Sequence, residues 1–107
     1  MFDVKQGKKS WRAMEWGGTA FNFGKIVPQL DMYIAATARM REVAKQRNVT
    51  VLLSNHASFD DSFAKLDALR RHPGGPNPFV MGNRAVVRAL TVMNECAQAQ
   101  RDRFLLN

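Results

Sequence analysis

The chain is expected to fold as one small α/β domain of mixed α+β character, with an N-terminal hairpin, one further strand and three helices. Three observations carry that expectation. Apolar residues recur at helical spacing between 28 and 46. Val49 to Leu53 is a short β-branched and aliphatic run of the kind that suits a buried strand. A second helical pattern follows directly, and helix, strand and helix in that order mark an α/β segment. With 107 residues the chain suffices for one small domain and not for two.

Residues 2–5 and 10–16 read as two strands joined by Gln6-Gly7-Lys8-Lys9, where Gly7 supplies the backbone freedom of a hairpin turn. Trp11, Ala13 and Glu15 point to one side of the second strand, and Arg12, Met14 and Trp16 to the other. Neither side is polar throughout, so cover is expected on both. Gly17-Gly18-Thr19 ends the strand, and its glycines permit a sharp turn or a close approach of backbone to another group. The spaced glycines and lysine of a phosphate loop are absent. Residues 20–27 read as irregular, with Phe21 and Phe23 as anchors into a core.

Pro28 suits the first turn of a helix running to about Gln46. Leu30, Tyr33, Ile34, Thr37, Met40 and Ala44 form its buried stripe, while Asp31, Arg39, Glu42, Lys45 and Gln46 fall largely opposite. The strand at 49–54 follows a short turn at Arg47-Asn48. Asp60 or Asp61 can cap the next helix, over 61–71, whose apolar positions are Phe63, Leu66 and Leu69. That helix ends at His72-Pro73, because a proline disfavours helix in the residue before it. Pro73-Gly-Gly-Pro-Asn-Pro78 is a stiff connector, with Phe79 to Met81 tucked beneath it. Asn83 can cap a last helix over 83–104, with Val86, Val87, Leu90, Met93, Ala97 and Phe104 on one face. Cys96 beside that stripe reads as a small packed side chain, and a lone cysteine excludes an internal disulfide.

The net charge of +7 raises the question of nucleic acid. A binding face wants a continuous basic stripe with interleaved aromatics. Here the basic residues are spread out. Lys45 and Arg47, Arg70 and Arg71, and Arg101 and Arg103 sit near helix ends, where cations complement the helix dipole. That distribution speaks against nucleic acid, which stands as an alternative. No apolar run approaches the ~20 residues of a membrane span. Met1-Phe-Asp-Val-Lys5 lacks the apolar core of a secretory signal.

The chemistry-bearing stretch is Ser54-Asn55-His56. It places an imidazole at the carboxyl end of a strand, just ahead of a helix, where ligands and catalytic groups collect in layered α/β folds. Such a histidine can ligate a metal through one nitrogen while a neighbour orients the other. On spacing alone the favoured reading is a loop residue bonded to backbone, since one histidine makes no metal site. No metal-ligand cluster, no Ser/His/Asp set at a recognisable spacing and no nucleotide loop accompanies it. His72 reads as a helix-end or surface residue.

The order Trp16-Gly-Gly-Thr-Ala-Phe-Asn22, an amphipathic helix, Leu53-Ser-Asn-His-Ala-Ser-Phe-Asp60, Pro78-Phe-Val-Met-Gly82 and Leu90-Thr-Val-Met-Asn-Glu-Cys96 resembles the C-terminal part of a metallo-β-lactamase-fold hydrolase. It is most similar to the third subclass of the class B enzymes, which use two zinc ions. The resemblance spans nearly the whole chain and implies the C-terminal half of an αββα sandwich. It implies His56 as a ligand of the second zinc ion, and Gly18 and Thr19 beside the substrate cleft. For the complete enzyme it implies hydrolysis of a β-lactam amide by zinc-bound hydroxide, since zinc lowers the pKa of bound water to ~7. Relatives often carry Asp-Gly where this chain has Asp60-Asp61. Some join the strand to the last helix by a disulfide, at positions matched here by the apolar pair Val49 and Val92. Relatives are often periplasmic or secreted.

The family's His-x-His-x-Asp-His motif, and the further histidine of its first zinc site, have no counterpart among these residues, where His72 is the only other histidine. The chain is therefore expected to be part of such an enzyme, to hold no zinc tightly and to be inactive alone. Its expected partner is the missing N-terminal half, or a second copy, meeting an exposed sheet face with Trp11, Trp16, Phe21 or Phe23 as uncovered members. A β-lactam-like substrate belongs to the complete enzyme. The competing class is a stand-alone basic α/β interaction module, with nucleic-acid binding as one form of it.

Overall fold

A three-stranded sheet in the order β1-β2-β3 organises the chain, with β1 and β2 antiparallel and β2 and β3 parallel. The computed structural model describes residues 1–18 and 24–106. Along the chain the elements are β1 (Phe2–Gln6), β2 (Lys9–Trp16), α1 (Val27–Gln46), β3 (Val51–Ser54), α2 (Ala57–Asp60), α3 (Ser62–Arg71) and α4 (Asn83–Leu105). The mixed α+β class and the three strands agree with the expectation. A fourth helix, the single turn α2, does not, and β3 begins at Val51 rather than Val49. Thr19, Phe21 and Phe23 lie outside the described residues.

Gly7 adopts φ 60° and turns β1 into β2. Pairing Phe2 with Ala13 and Val4 with Trp11 puts these four side chains on one face of the sheet. Met14 and Trp16 lie on the opposite face, and α1 and α4 cover it. Met14, Ala44, Val49, Val86 and Leu90 are all fully buried there, with Trp16, Met40, Val43, Leu52, Val87 and Met93 packed around them. Burying a side chain such as Met14 or Leu90 contributes about 1.5–3 kcal/mol. The periodic stripes of both long helices thus face the sheet and each other as expected.

Pro28 sits in the first turn of α1, where its missing N–H costs nothing. Asn83 does not cap α4 through its side chain. Its Nδ2 instead donates to the carbonyls of Ala44, at 2.8 Å, and Val49, at 2.9 Å. One amide thereby fastens the end of α1, the approach to β3 and the start of α4. Val49 and Val92 do not form a buried pair: Val49 is fully buried while Val92 is 57% exposed.

The other face of the sheet is only partly covered. Leu69 of α3 and Phe79 approach Val4, Trp11, Val51 and Leu53 across a groove of about 290 Å³. Lys65 of α3 lies over the Phe79 ring, 5.5 Å from its centre. Of the aromatic residues expected to be uncovered, Phe21 and Phe23 lie outside the described residues. Trp11 and Trp16 are half-buried, Trp16 because it meets Tyr33 edge-on at 5.8 Å. Phe2, Val4, Phe59, Phe63 and Leu66 are among the exposed apolar side chains, Phe63 at 77%. The chain measures 53 × 28 × 17 Å with a radius of gyration of 15.8 Å. A closed domain of this length has about 13 Å.

Candidate functional site

The parallel pairing of β2 with β3 ends at Trp16 and Ser54, so the loops that follow both strands leave the sheet at the same edge. Gly17 and Gly18 extend from one strand, and Asn55 and His56 from the other. They are neighbours: a Cβ added to Gly17 would lie 3.7 Å from Asn55 Nδ2. Gly18 and His56, two of the residues singled out from the sequence, each directly follow one of these neighbours in the chain. Thr19, the third, lies outside the described residues.

Gly18 is held from α1. The Tyr33 hydroxyl donates to its carbonyl, and burial pushes that hydroxyl above the usual tyrosine range, which keeps it a donor. A Cβ on Gly18 would stand 2.9 Å from Tyr33 Cε2 and 3.2 Å from Trp16 Cζ2. Glycine is thus required here by close approach, as one of the two readings of Gly17-Gly18-Thr19 proposed.

His56 is exposed and forms the N-cap position of α2, with extended backbone at φ −122° and ψ 118°. Its amide donates to Ser54 Oγ at 3.1 Å, its carbonyl accepts from the Phe59 amide at 3.0 Å, and its ring meets Phe59 edge-on at 5.8 Å. Asp60 closes the loop. Its Oδ2 accepts from the Ser54 amide at 2.8 Å, and its Oδ1 accepts from the Ser62 amide at 3.0 Å and from the Ser62 hydroxyl. Burial works against ionisation of this carboxyl. The Ser62 hydroxyl, the two amides and the charge of Lys65 outweigh it and hold the group below the usual aspartate range.

Asp61 stands at the N-cap of α3 without a side-chain cap bond, in the left-handed region at φ 57°. The capping role left open between the two aspartates thus goes to neither in its usual form. The clamp formed by Asp60 escaped the sequence reading, although an aspartate two residues before a serine carries a signal for a local side-chain-to-backbone turn. Tyr33 was read only as a member of the α1 stripe.

Among the described residues, no three of His, Cys, Asp and Glu come together where a metal ion could be held. His72 caps the far end of α3, about 15 Å of helix away from the His56 loop. His56 is one donor, and one donor does not constitute a zinc site. No helix among the described residues is long and apolar enough to cross a membrane.

No protein-family model, no curated protein and no solved structure matches this chain. Function is accordingly argued from the site, because a fold class alone does not assign one.

A second concavity lies at the opposite end of β2. A cleft of about 520 Å³ is lined by Lys8, Lys9, Trp11 and the Pro73–Asn77 connector, with no carboxylate among the described residues of its wall. Gln6 builds it: its Oε1 accepts from Trp11 Nε1 at 3.3 Å and from Asn77 Nδ2 at 3.1 Å, tying the connector to the hairpin.

Proposed function

We propose that this chain is one half of a zinc-dependent hydrolase of the metallo-β-lactamase type, in which His56 serves as a single ligand. A second α/β half supplies the remaining ligands and covers the open face of the sheet. The observation that carries this reading is the place of His56, an exposed imidazole at the carboxyl end of β3 beside the glycine turn that ends the parallel strand β2. Ligands of layered α/β folds bind outside the carboxyl ends of strands.

Two further features support it. Apolar side chains remain uncovered on the sheet face and on α3, as expected of a surface that meets a partner. Position 61, where the resemblance associates glycine, has φ 57°, a conformation that glycine adopts without cost.

Zinc, when bound, supplies hydroxide at neutral pH from a coordinated water. The residues of this chain contribute position. The Asn55–His56 loop presents the imidazole, and Gly18, pinned through its carbonyl by Tyr33, shapes the neighbouring wall of a cleft for a β-lactam-like substrate. The resemblance also implies a cleft role for Thr19, which lies outside the described residues. No reaction step is assigned to this chain alone, since it offers a single metal donor.

The purified chain with zinc is expected to hydrolyse no β-lactam above a zinc-only blank, and dialysed monomer to retain no stoichiometric zinc. Adding a separately produced α/β half that carries His-x-His-x-Asp-His is expected to restore turnover. In that pair His56→Ala removes most of the activity and His72→Ala little. Equal losses from both substitutions, or full activity after His56→Ala, would overturn the proposal.

The cleft with no carboxylate among its described lining residues favours a second reading, a stand-alone module that takes an anionic partner between Lys8, Lys9 and Trp11. Binding of a single-stranded oligonucleotide that quenches Trp11 fluorescence and weakens steeply with salt would support it. No quenching at low salt would remove it.

A further inference from the structure

We infer that Asp60 is the positioning residue of the His56 loop. This rests on the reading of His56 as a ligand, and it concerns how the chain holds that ligand ready. The loop from Ser54 to Ser62 leaves the end of β3, makes the single turn α2 and enters α3. No residue of α2 is fully buried, so apolar packing alone gives it little hold. An exposed one-turn helix is far below the length at which helices hold themselves. The loop depends on polar bonds instead, and they converge on one carboxylate.

The two oxygens of Asp60 divide the task. Oδ2 takes the amide of Ser54, the last residue of β3, at 2.8 Å. Oδ1 takes the amide of Ser62, the first residue of α3, at 3.0 Å, and the Ser62 hydroxyl. A single ionised group thereby joins the strand end to the helix start, with His56 on the span between them. Hydrogen bonds to an ionised acceptor are roughly twice as strong as neutral ones. From Ser54 the restraint passes to His56 directly, because Ser54 Oγ accepts the His56 amide. From the Asp60 side it passes through Phe59, whose amide holds the His56 carbonyl and whose ring meets the imidazole. Asp60 does not touch the imidazole; it acts through these two neighbours. A ligand held this way loses less conformational freedom when an ion binds.

The chain contains two histidines, so His72, at the end of α3, is an internal control within every sample. Backbone amide and imidazole relaxation of the chain alone would be measured for wild type, Asp60→Ala, Asp60→Asn and Ser62→Ala, with far-UV circular dichroism to verify folding. For Asp60→Ala the amide order parameter of His56 is expected to fall from about 0.85 to below about 0.6. The Ser54 amide loses its exchange protection, and His72 stays as in wild type. Asp60→Asn, which keeps one acceptor oxygen, and Ser62→Ala, which removes one donor side chain, fall between. A merely structural role predicts the opposite pattern, with His56 and His72 loosening together as stability falls.

A wild-type order parameter at His56 in a folded Asp60→Ala chain with Ser54 deprotected would overturn the inference. Should Asp60→Ala not fold, unchanged His56 order in both milder variants would do the same. These readouts involve neither zinc nor hydrolysis. In the reconstituted pair, a harmless His56→Ala sinks the zinc reading alone. A large loss from His56→Ala that Asp60→Ala does not share, or that adds to it in the double variant, sinks the positioning role alone. The double variant is otherwise expected to be no slower than His56→Ala.

Discussion

Asn94 of α4 donates through Nδ2 to Thr37 Oγ1 of α1 at 2.9 Å and to the Ile34 carbonyl at 2.8 Å, in the seam between the two long helices. Both side chains are buried, and both are satisfied. The Thr37 hydroxyl donates to the backbone of its own helix, and Gln98 Nε2 donates to Asn94 Oδ1. A buried polar pair of this kind fixes the register of α1 against α4, because sliding either helix would leave an amide unpaired. Asn94→Ala is expected to cost about 1–3 kcal/mol in denaturant unfolding. Thr37→Val should couple to it by at least about 0.5 kcal/mol in a double-mutant cycle. Strict additivity would show that the pair sets no register.

The two adjacent glycines should respond differently to the same substitution. A methyl at Gly17 meets only ordinary contacts with Asn55, the nearest at 3.7 Å. At Gly18 it would lie 2.9 Å from the Tyr33 ring, which burial and the bond to the Gly18 carbonyl keep from retreating. Gly17→Ala is expected to stay within about 0.5 kcal/mol of wild type, whereas Gly18→Ala costs about 1–3 kcal/mol. Equal thermal shifts for the two variants would contradict the packing of Tyr33 against this turn.

The charge of Asp60 should make the stability of the chain depend on pH. The folded carboxyl of Asp60 titrates below its ordinary value of 3.8. Its stabilisation is therefore complete above that value and is lost as pH falls through the folded pKa. Asp60→Asn should be less stable than wild type at neutral pH, with the gap narrowing below pH 3.8. A gap independent of pH would mean that the charge contributes nothing.

Asp61 occupies the left-handed region at φ 57° without a side-chain cap bond. Asp61→Gly should relieve that conformation and raise the unfolding free energy by up to about 1 kcal/mol, while Asp61→Val should lower it. A destabilised glycine variant would show that the aspartate makes a contribution beyond its backbone.

Phe63 and Leu66 are 77% and 50% exposed. Changing both to lysine should leave the unfolding midpoint nearly unchanged and reduce self-association in sedimentation. In a reconstituted pair the same change should weaken docking of the second half. Unaltered docking would place the partner elsewhere on the sheet.

Local pattern determined much of this chain. The stripes of α1 and α4 were legible because apolar residues repeat at the helical period, and the hairpin because Gly7 stands between two β-rich runs. His56 was legible as a strand-end residue because the β-branched and aliphatic run of Val49 to Leu53 stops two residues short of it. Those are short-range regularities, written into consecutive residues.

Tertiary structure decided what depends on residues distant in sequence. Asn94 reads as a break in the apolar face of α4 until Thr37, from a helix far upstream, turns it into a register pin. Asn83 reads as a cap until Ala44 and Val49 claim its amide. Trp16 reads as an uncovered aromatic until Tyr33 packs beside it, while Phe63 and Leu66, apolar positions at helical spacing, face solvent. Gly18 owes its lack of a side chain to a ring from α1, and Asp60 owes its clamp to where β3 ends and α3 begins. In each case the local sequence offers a polar group or a space with several possible partners. Only the assembled fold selects one, because burial makes an unpaired group or an unfilled contact too costly to leave.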